Sequence, residues 1–223
     1  VFVGALNKAV RDGIIPQNPF KRLDRREKFH PAPEEREFLT IEELKTLMAV
    51  PCTNEQVKKA FIFSCFTGLR LSDVRSLTWE KIHTMPDGET MYVHTVMQKT
   101  QKPVNVPLSA MALQYLPERK NPETSVFNLP VSDATINYHI KKWVKNGEIA
   151  KTISFHCSRH TFATMMLTLG ADLYTTSKLL GHSNVTTTQI YSKIIDKKKV
   201  ETVNLVDDLF TEKQDSNKGK EGK

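Results

Sequence analysis

The chain has 223 residues, enough for one domain with a full core plus appendages, and 32 Lys+Arg against 25 Asp+Glu give a net charge of +7. That excess points to an anionic partner without naming one, and the apolar run at 60–66 is too short to span a bilayer. Three cysteines, at 52, 65 and 157, imply no disulfide framework; with no signal peptide visible, a reducing cytoplasm is the expected compartment.

Taken in order, Phe2, Leu6, Ala9, Val10 and Gly13 read as the last turns of a helix, ended by Pro16 and Pro19. Residues 21–37 are charged and Pro-containing, so an exposed linker is expected, with the Lys21-Arg22 and Arg25-Arg26 pairs solvated. Thr40 and Glu43 form a capping box ahead of Leu44, Leu47 and Met48. A helix over about 54–66 is apolar on most faces and belongs in the core. Arg70 follows in a turn that Gly68 permits. Ser72 is expected to cap a short helix at 73–77, and Asp73 to orient Arg70.

From Trp79 to Val106 the pattern becomes strand-like. Turns at Pro86-Asp87-Gly88 and at 98–102 give a three-stranded antiparallel meander, with Lys99 and Lys102 in the second turn. A helix at 109–116, a short strand near 125–127 and a helix at 132–146 complete this half, so the fold class is α+β, mainly α-helical with a small antiparallel sheet. On the last helix Asn137, His139, Lys141, Lys142 and Lys145 alternate with Ile136, Ile140, Trp143 and Val144, which on its own is an ordinary solvated basic face.

The stretch 156–191 carries the chemistry. His156, Arg159 and His160 share one helical face by their offsets of three and four. Phe162, Ala163, Met165, Met166 and Leu169 are expected to bury the other side. Gly170 stops that helix and Leu179-Leu180-Gly181 stops the next, which puts His182 in the following turn; Ser183 or Asn184 is then expected to cap a helix carrying Tyr191. A phenol has a pKa near 10, so forming the phenolate at neutral pH costs roughly 4 kcal/mol unless cations or a base offset it. Guanidinium and imidazole groups on the same segment suit that task, and Arg forks onto two phosphate oxygens at once. Cys157 lies beside His156 and near His160, but the spaced Cys/His pairs of structural zinc are missing and no metal is expected.

The HxxRH box at 156–160, the LLGHS at 179–183 and the Tyr nine residues after His182 resemble the catalytic box of the tyrosine recombinases, the phage-integrase family. Two upstream motifs match in the same order: Thr67-Gly68-Leu69-Arg70-Leu71-Ser72-Asp73, and a hairpin Lys99 followed by Val106-Pro107-Leu108. The resemblance covers about residues 38–200. It implies the DNA breaking-rejoining catalytic fold over 38–210, preceded at 1–20 by the end of a core-binding DNA-binding domain and at 21–37 by a linker that passes near DNA. Residues 211–223 have no apolar periodicity and are expected to be disordered.

The resemblance further implies transesterification at a DNA phosphodiester with no cofactor. Tyr191 would attack phosphorus to give a 3′-phosphotyrosyl link, which a partner strand's 5′-hydroxyl then attacks. Arg70 and Arg159 would neutralise the phosphorane and His182 would hydrogen-bond a non-bridging oxygen. His156 would accept the Tyr proton or hold the phosphate, and Lys99 would protonate the leaving alkoxide. His160 matches a position that in the family more often holds a helix in place. Lys102, Lys141, Lys142 and Lys145 would contact DNA. Implied partners are double-stranded attachment sites of a phage or conjugative transposon, accessory DNA-bending proteins, and further copies of the chain. These would form a tetrameric synapse docked through the apolar segment around Val203, Leu205, Val206, Leu209 and Phe210 in a bacterial, nucleoid-associated setting. Tyr174 is the rival nucleophile, for which packing is the expected role. Other readings are a regulator that binds DNA without cutting, a type IB topoisomerase, and a phosphatase with a His nucleophile. The last lacks its R-H-G, since the chain reads Arg159-His160-Thr161.

Overall fold

A helix that is apolar all round has to be enclosed, and Glu55–Thr67 (α3) is: from Val57 onward nearly every side chain is buried. The computed structural model describes residues 2–24, 37–182, 184–188 and 191. It divides the chain into two units, residues 1–35 and 36–223. In the first, α1 (Phe2–Arg11) is followed by a 3-10 turn, Pro19–Arg22. Asn18 caps that turn through the Phe20 N–H and donates from Nδ2 to Asn7 Oδ1 at 2.7 Å. Arg25, Arg26, most of the expected linker and the apolar segment after Tyr191 lie outside the described residues.

In the second unit, α2 (Ile41–Ala49) starts with the capping box read from Thr40 and Glu43. After α3 comes a short helix, α4 (Leu71–Arg75), whose N-cap is Arg70 without a side-chain bond; Ser72 lies inside the helix and is not its cap. The helix begins two residues earlier than expected because the left-handed Gly68 already turns the chain. Strands β1 (Ile82–Thr84), β2 (Met91–Val96) and β3 (Pro103–Pro107) pair antiparallel in chain order, with Val93 opposite both Ile82 and Val106. Helices α5 (Ala110–Gln114), α6 (Asp133–Asn146), α7 (Phe155–Thr168) and α8 (Leu173–Leu179) follow. The strand expected near 125–127 is only a single bridge, Thr78 to Ser125: Val126 and Phe127 turn into the core and Pro130 follows closely.

The core is built around α3. Phe61 meets Trp143 of α6 and Phe155 of α7 edge-on, each at 5.9 Å between ring centres. Where α3 crosses α7, the hydroxyls of Ser64 and Ser158 lie 2.6 Å apart, so small residues let the two backbones approach closely. Helix α7 is enclosed on most sides rather than on one, and its apolar series runs out at Leu169, which is 67% exposed at the helix end and not buried as expected. Gly68 (φ +70°) ends α3 directly beneath Phe162; a Cβ there would sit 2.6 Å from Phe162 Cδ1. Gly68→Ala should therefore cost about 2–4 kcal/mol, from left-handed strain plus overpacking, read as a lower urea midpoint at unchanged slope. No helix among the described residues is long and apolar enough to cross a membrane.

Candidate active site

Three helix ends and one hairpin turn bring the expected side chains together. Helix α7 starts at Ser154, and its first N–H, from Phe155, is bonded by Asn137 Oδ1 of α6 at 2.8 Å. Asn137 therefore faces a helix start, not the solvent with its neighbouring lysines. From this start His156 is exposed, while Arg159 and His160 point inward and are buried.

Arg159 joins two helix C-termini. Its Nη1 donates to the Gly68 carbonyl at 2.6 Å, at the end of α3, and its Nη2 to the Leu180 carbonyl at 2.5 Å, at the end of α8. Both ends carry partial negative charge, which is how a guanidinium that is only 4% exposed is accommodated. Burial, reinforced by the positive charge of Arg70, lowers the Arg159 pKa to about 9, with Tyr191 and Asp73 acting in the opposite sense. The group is still cationic at neutral pH. Two mutually repelling guanidinium groups with one nearby carboxylate leave a net positive hole, the electrostatic shape of a phosphate site.

Arg70 is half-buried, which lowers its pKa while the charge of Asp73 raises it. Asp73 does not form an ion pair with it. Asp73 Oδ1 accepts the Gln98 N–H at 2.9 Å, at the start of the Lys99 turn, and Arg70 Nη1 instead reaches the sulfur of Met97 at 3.1 Å. Asp73 Oδ2 is buried with no hydrogen-bond partner, so its charge acts on the two arginines through space. The Lys99 turn is closed by Met97 N–H to the Lys102 carbonyl and Gln101 N–H to the Met97 carbonyl, with Gln101 in the left-handed region at φ +52°. Lys99 and Lys102 are exposed there.

Helix α8 ends in a Schellman motif: Gly181 N–H bonds the Lys178 carbonyl and His182 N–H bonds the Ser177 carbonyl. Glycine supplies the required φ of +61° and fixes His182 as the next residue. The His182 ring is held by Nδ1 to the hydroxyl of Thr188, itself fully buried, at 2.9 Å. Asn184 caps a 3-10 turn, Val185–Thr187; Ser183 and the residues flanking Tyr191, on which the expected helix depends, lie outside the described residues. Tyr191 packs with Phe162, Ala163, Leu167 and Leu180, and its hydroxyl is hydrogen-bonded to His160 Nδ1. His156 meets His160 edge-on at 4.6 Å between ring centres. His160 thus touches the tyrosine and is itself met by His156. Tyr174 is 59% exposed, under the Lys178 ammonium, and is not a packing residue.

Lys141, Lys142 and Lys145 stay on the exposed side of α6. Lys141 and Lys145 line a groove of 420 Å³ with Lys151, whose ammonium is engaged by Glu43 at 2.6 Å and the Phe38 carbonyl at 3.0 Å. Among the described residues no group of three or more His, Cys, Asp and Glu side chains could hold a metal ion. Met97 and Thr188 were not expected at the site and carried no sequence signal; Gly181 was read from the sequence as the helix stop before His182.

A profile of the phage integrase family matches residues 37–198. A tyrosine recombinase of Pseudothermotoga lettingae is 29% identical over 175 residues, 75% of this chain and 60% of that protein. The tyrosine recombinase XerD of Lacticaseibacillus casei is 30% identical, over 83% of this chain and 67% of its own length. The chain thus spans about two thirds or less of these relatives. A lambda integrase dimer bound to a COC′ core site has the same fold, with a TM-score of 0.64 at 20% identity over 85% of this chain and 69% of that one. With the family profile matching most of the chain and the same motifs gathered at one site, the chain belongs to the phage integrase family.

Proposed function

We propose that this chain carries the catalytic domain of a site-specific DNA recombinase, at 38–210, which cleaves and rejoins strands through a 3′-phosphotyrosyl intermediate. The observation that carries the reading is the convergence of Tyr191, hydrogen-bonded to an imidazole, with two guanidinium groups that share one counter-charge. Tyr191 would attack phosphorus as its proton passes into the imidazole pair of His160, to which its hydroxyl is hydrogen-bonded, and His156, which meets His160 and would accept the proton or hold the phosphate. Arg70 and Arg159 would take up the charge that builds on the phosphorane and His182, held by Thr188, would bond a non-bridging oxygen. Lys99, exposed on its turn, would protonate the leaving 5′-oxygen.

The attachment-site DNA of a mobile element is the proposed substrate. The exposed Lys102, Lys141, Lys142 and Lys145 would track its phosphates, in a cytoplasmic, nucleoid-associated setting. The proposed domain order places the end of a core-binding domain at 1–20, a linker at 21–37 and a tail at 211–223. A tetrameric synapse joined through the segment after Tyr191, with accessory DNA-bending proteins, completes the proposal. The 30% identity to a XerD protein favours a second reading, a chromosomal Xer-type role, which differs in substrate site and not in chemistry. The test is incubation in EDTA with nicked duplexes tiled across the junctions flanking the element. A denaturant-stable protein–DNA adduct is the expected result. A full-length protein that binds these duplexes and forms no adduct would make it a non-cutting binder.

A further inference from the structure

Met97 is fully buried among the turns that carry Arg70, Lys99 and His182. Its sulfur accepts Arg70 Nη1 at 3.1 Å. On the other side, Sδ and Cε lie 2.5 and 2.8 Å from where a Cβ on Gly181 would be, so the side chain fills the space that glycine leaves. Its backbone closes the Lys99 turn, donating to the Lys102 carbonyl at 2.9 Å and accepting from the Gln101 N–H at 2.8 Å. One residue thus ties together the turns bearing three of the proposed catalytic groups.

We propose that Met97 is the positioning residue that aims the Arg70 guanidinium at the scissile phosphate, an inference that rests on the phosphoryl-transfer reading above. A thioether is a weak, uncharged acceptor. It fixes the direction of the guanidinium without cancelling the charge that a phosphate is to meet. A carboxylate at the same place would hold Arg70 more firmly and compete with the DNA for it. Asp73 is instead engaged with the Gln98 amide, which leaves the short-range contact to sulfur. The Schellman turn beneath the sulfur is rigid, because Gly181 is left-handed and its neighbours' amides are bonded, so the sulfur has a fixed seat. The assembly holds Arg70 in place before DNA arrives, which reduces the ordering left to be done in the transition state.

The decisive variant is Met97→Leu, which keeps the apolar volume against Gly181 and the backbone of the Lys99 turn but removes the acceptor. Wild type and variant would be compared on the nicked duplex that traps the wild type, in two forms: one with the ordinary 5′-oxygen leaving group and one with sulfur at that bridging position. A thiolate leaves without an acid, so the sulfur substrate hides defects of Lys99 and exposes those of Arg70. Trapping of the wild type tests the recombinase reading by itself; the ratio of variant to wild type tests Met97. DNA binding within about twofold of wild type and single-turnover cleavage slowed roughly tenfold on both substrates are expected. An Arg70→Lys background should absorb the effect, the second substitution adding less than about twofold. Wild-type cleavage by Met97→Leu would overturn the proposal. So would a defect confined to the oxygen substrate, which would place the action of Met97 on Lys99. A large fall in melting temperature would make Met97 a packing residue and overturn it equally.

Discussion

Arg159→Ala should lose stability and cleavage together. The substitution strands two buried carbonyls, of Gly68 and Leu180, each worth about 1–3 kcal/mol when left without a donor. It also relieves a cost. The folded pKa of about 9 lies well below the unfolded value, so the fold disfavours the cation. For a base shifted downward the penalty is fully present below pH 9 and is relieved as pH rises from 9 towards the unfolded pKa. At neutral pH the gain from removing that buried, repelled charge is therefore complete and offsets much of the loss from the two carbonyls; the cavity left by a side chain only 4% exposed restores a net loss of about 2–4 kcal/mol. For a chain of this size that is a fall of roughly 5–15 °C in melting temperature. Cleavage should drop by about 10²–10³, the loss typical of removing one donor to a developing oxyanion. Arg159→Lys should recover the charge but not the stability, because an ammonium cannot span the ends of α3 and α8 as a fork does. An unchanged melting curve for Arg159→Ala would show that these two carbonyl contacts contribute no more than the buried charge costs.

Lys99→Ala should be nearly as damaging to the reaction and harmless to the fold. The side chain is exposed, so stability should stay within about 0.5 kcal/mol of wild type. The attacking phenol and the leaving alcohol differ by several pKa units, which makes expulsion of the 5′-oxygen the step that needs a proton. Loss of a general acid costs roughly 10²–10⁴ in rate. With sulfur at the bridging position the need disappears, since thiols have pKa values near 8.5, and the variant should cleave within about tenfold of wild type. Equal losses on both substrates would remove Lys99 from the role of acid.

The two expectations depend on different levels of the sequence. The turn that carries Lys99 was legible because a strand pattern, a turn and a second strand are local features, as are the Thr40–Glu43 capping box and the helix stop at Gly181; the choice of Lys99 over Lys102 came from the family resemblance. The anchoring of Arg159 was not, because its partners are main-chain carbonyls 91 and 21 residues away and a carbonyl leaves no trace in residue identity. Asp73 was expected to orient Arg70, three residues away in the same turn. The hairpin instead brought the Gln98 amide to Asp73 and the Met97 sulfur to Arg70. Helical periodicity identified α7 but misplaced Leu169, since a helix enclosed on most sides has no single apolar stripe to read. Tyr174 was misjudged for a different reason: α8 is short, and exposed Tyr and buried Tyr are spaced alike on two turns.

The central claim is that Tyr191 becomes covalently joined to a DNA 3′-phosphate. The direct measurement is to trap the full chain in EDTA on the nicked duplex, digest the adduct with protease and nuclease, and locate the phosphorylated residue by mass spectrometry, with Tyr191→Phe alongside. The predicted result is a nucleotide remnant on Tyr191 alone, and no adduct with Tyr191→Phe. A remnant on Tyr174, or an adduct that survives in Tyr191→Phe, would contradict the assignment of the nucleophile and with it the site built around His160, Arg159 and Arg70.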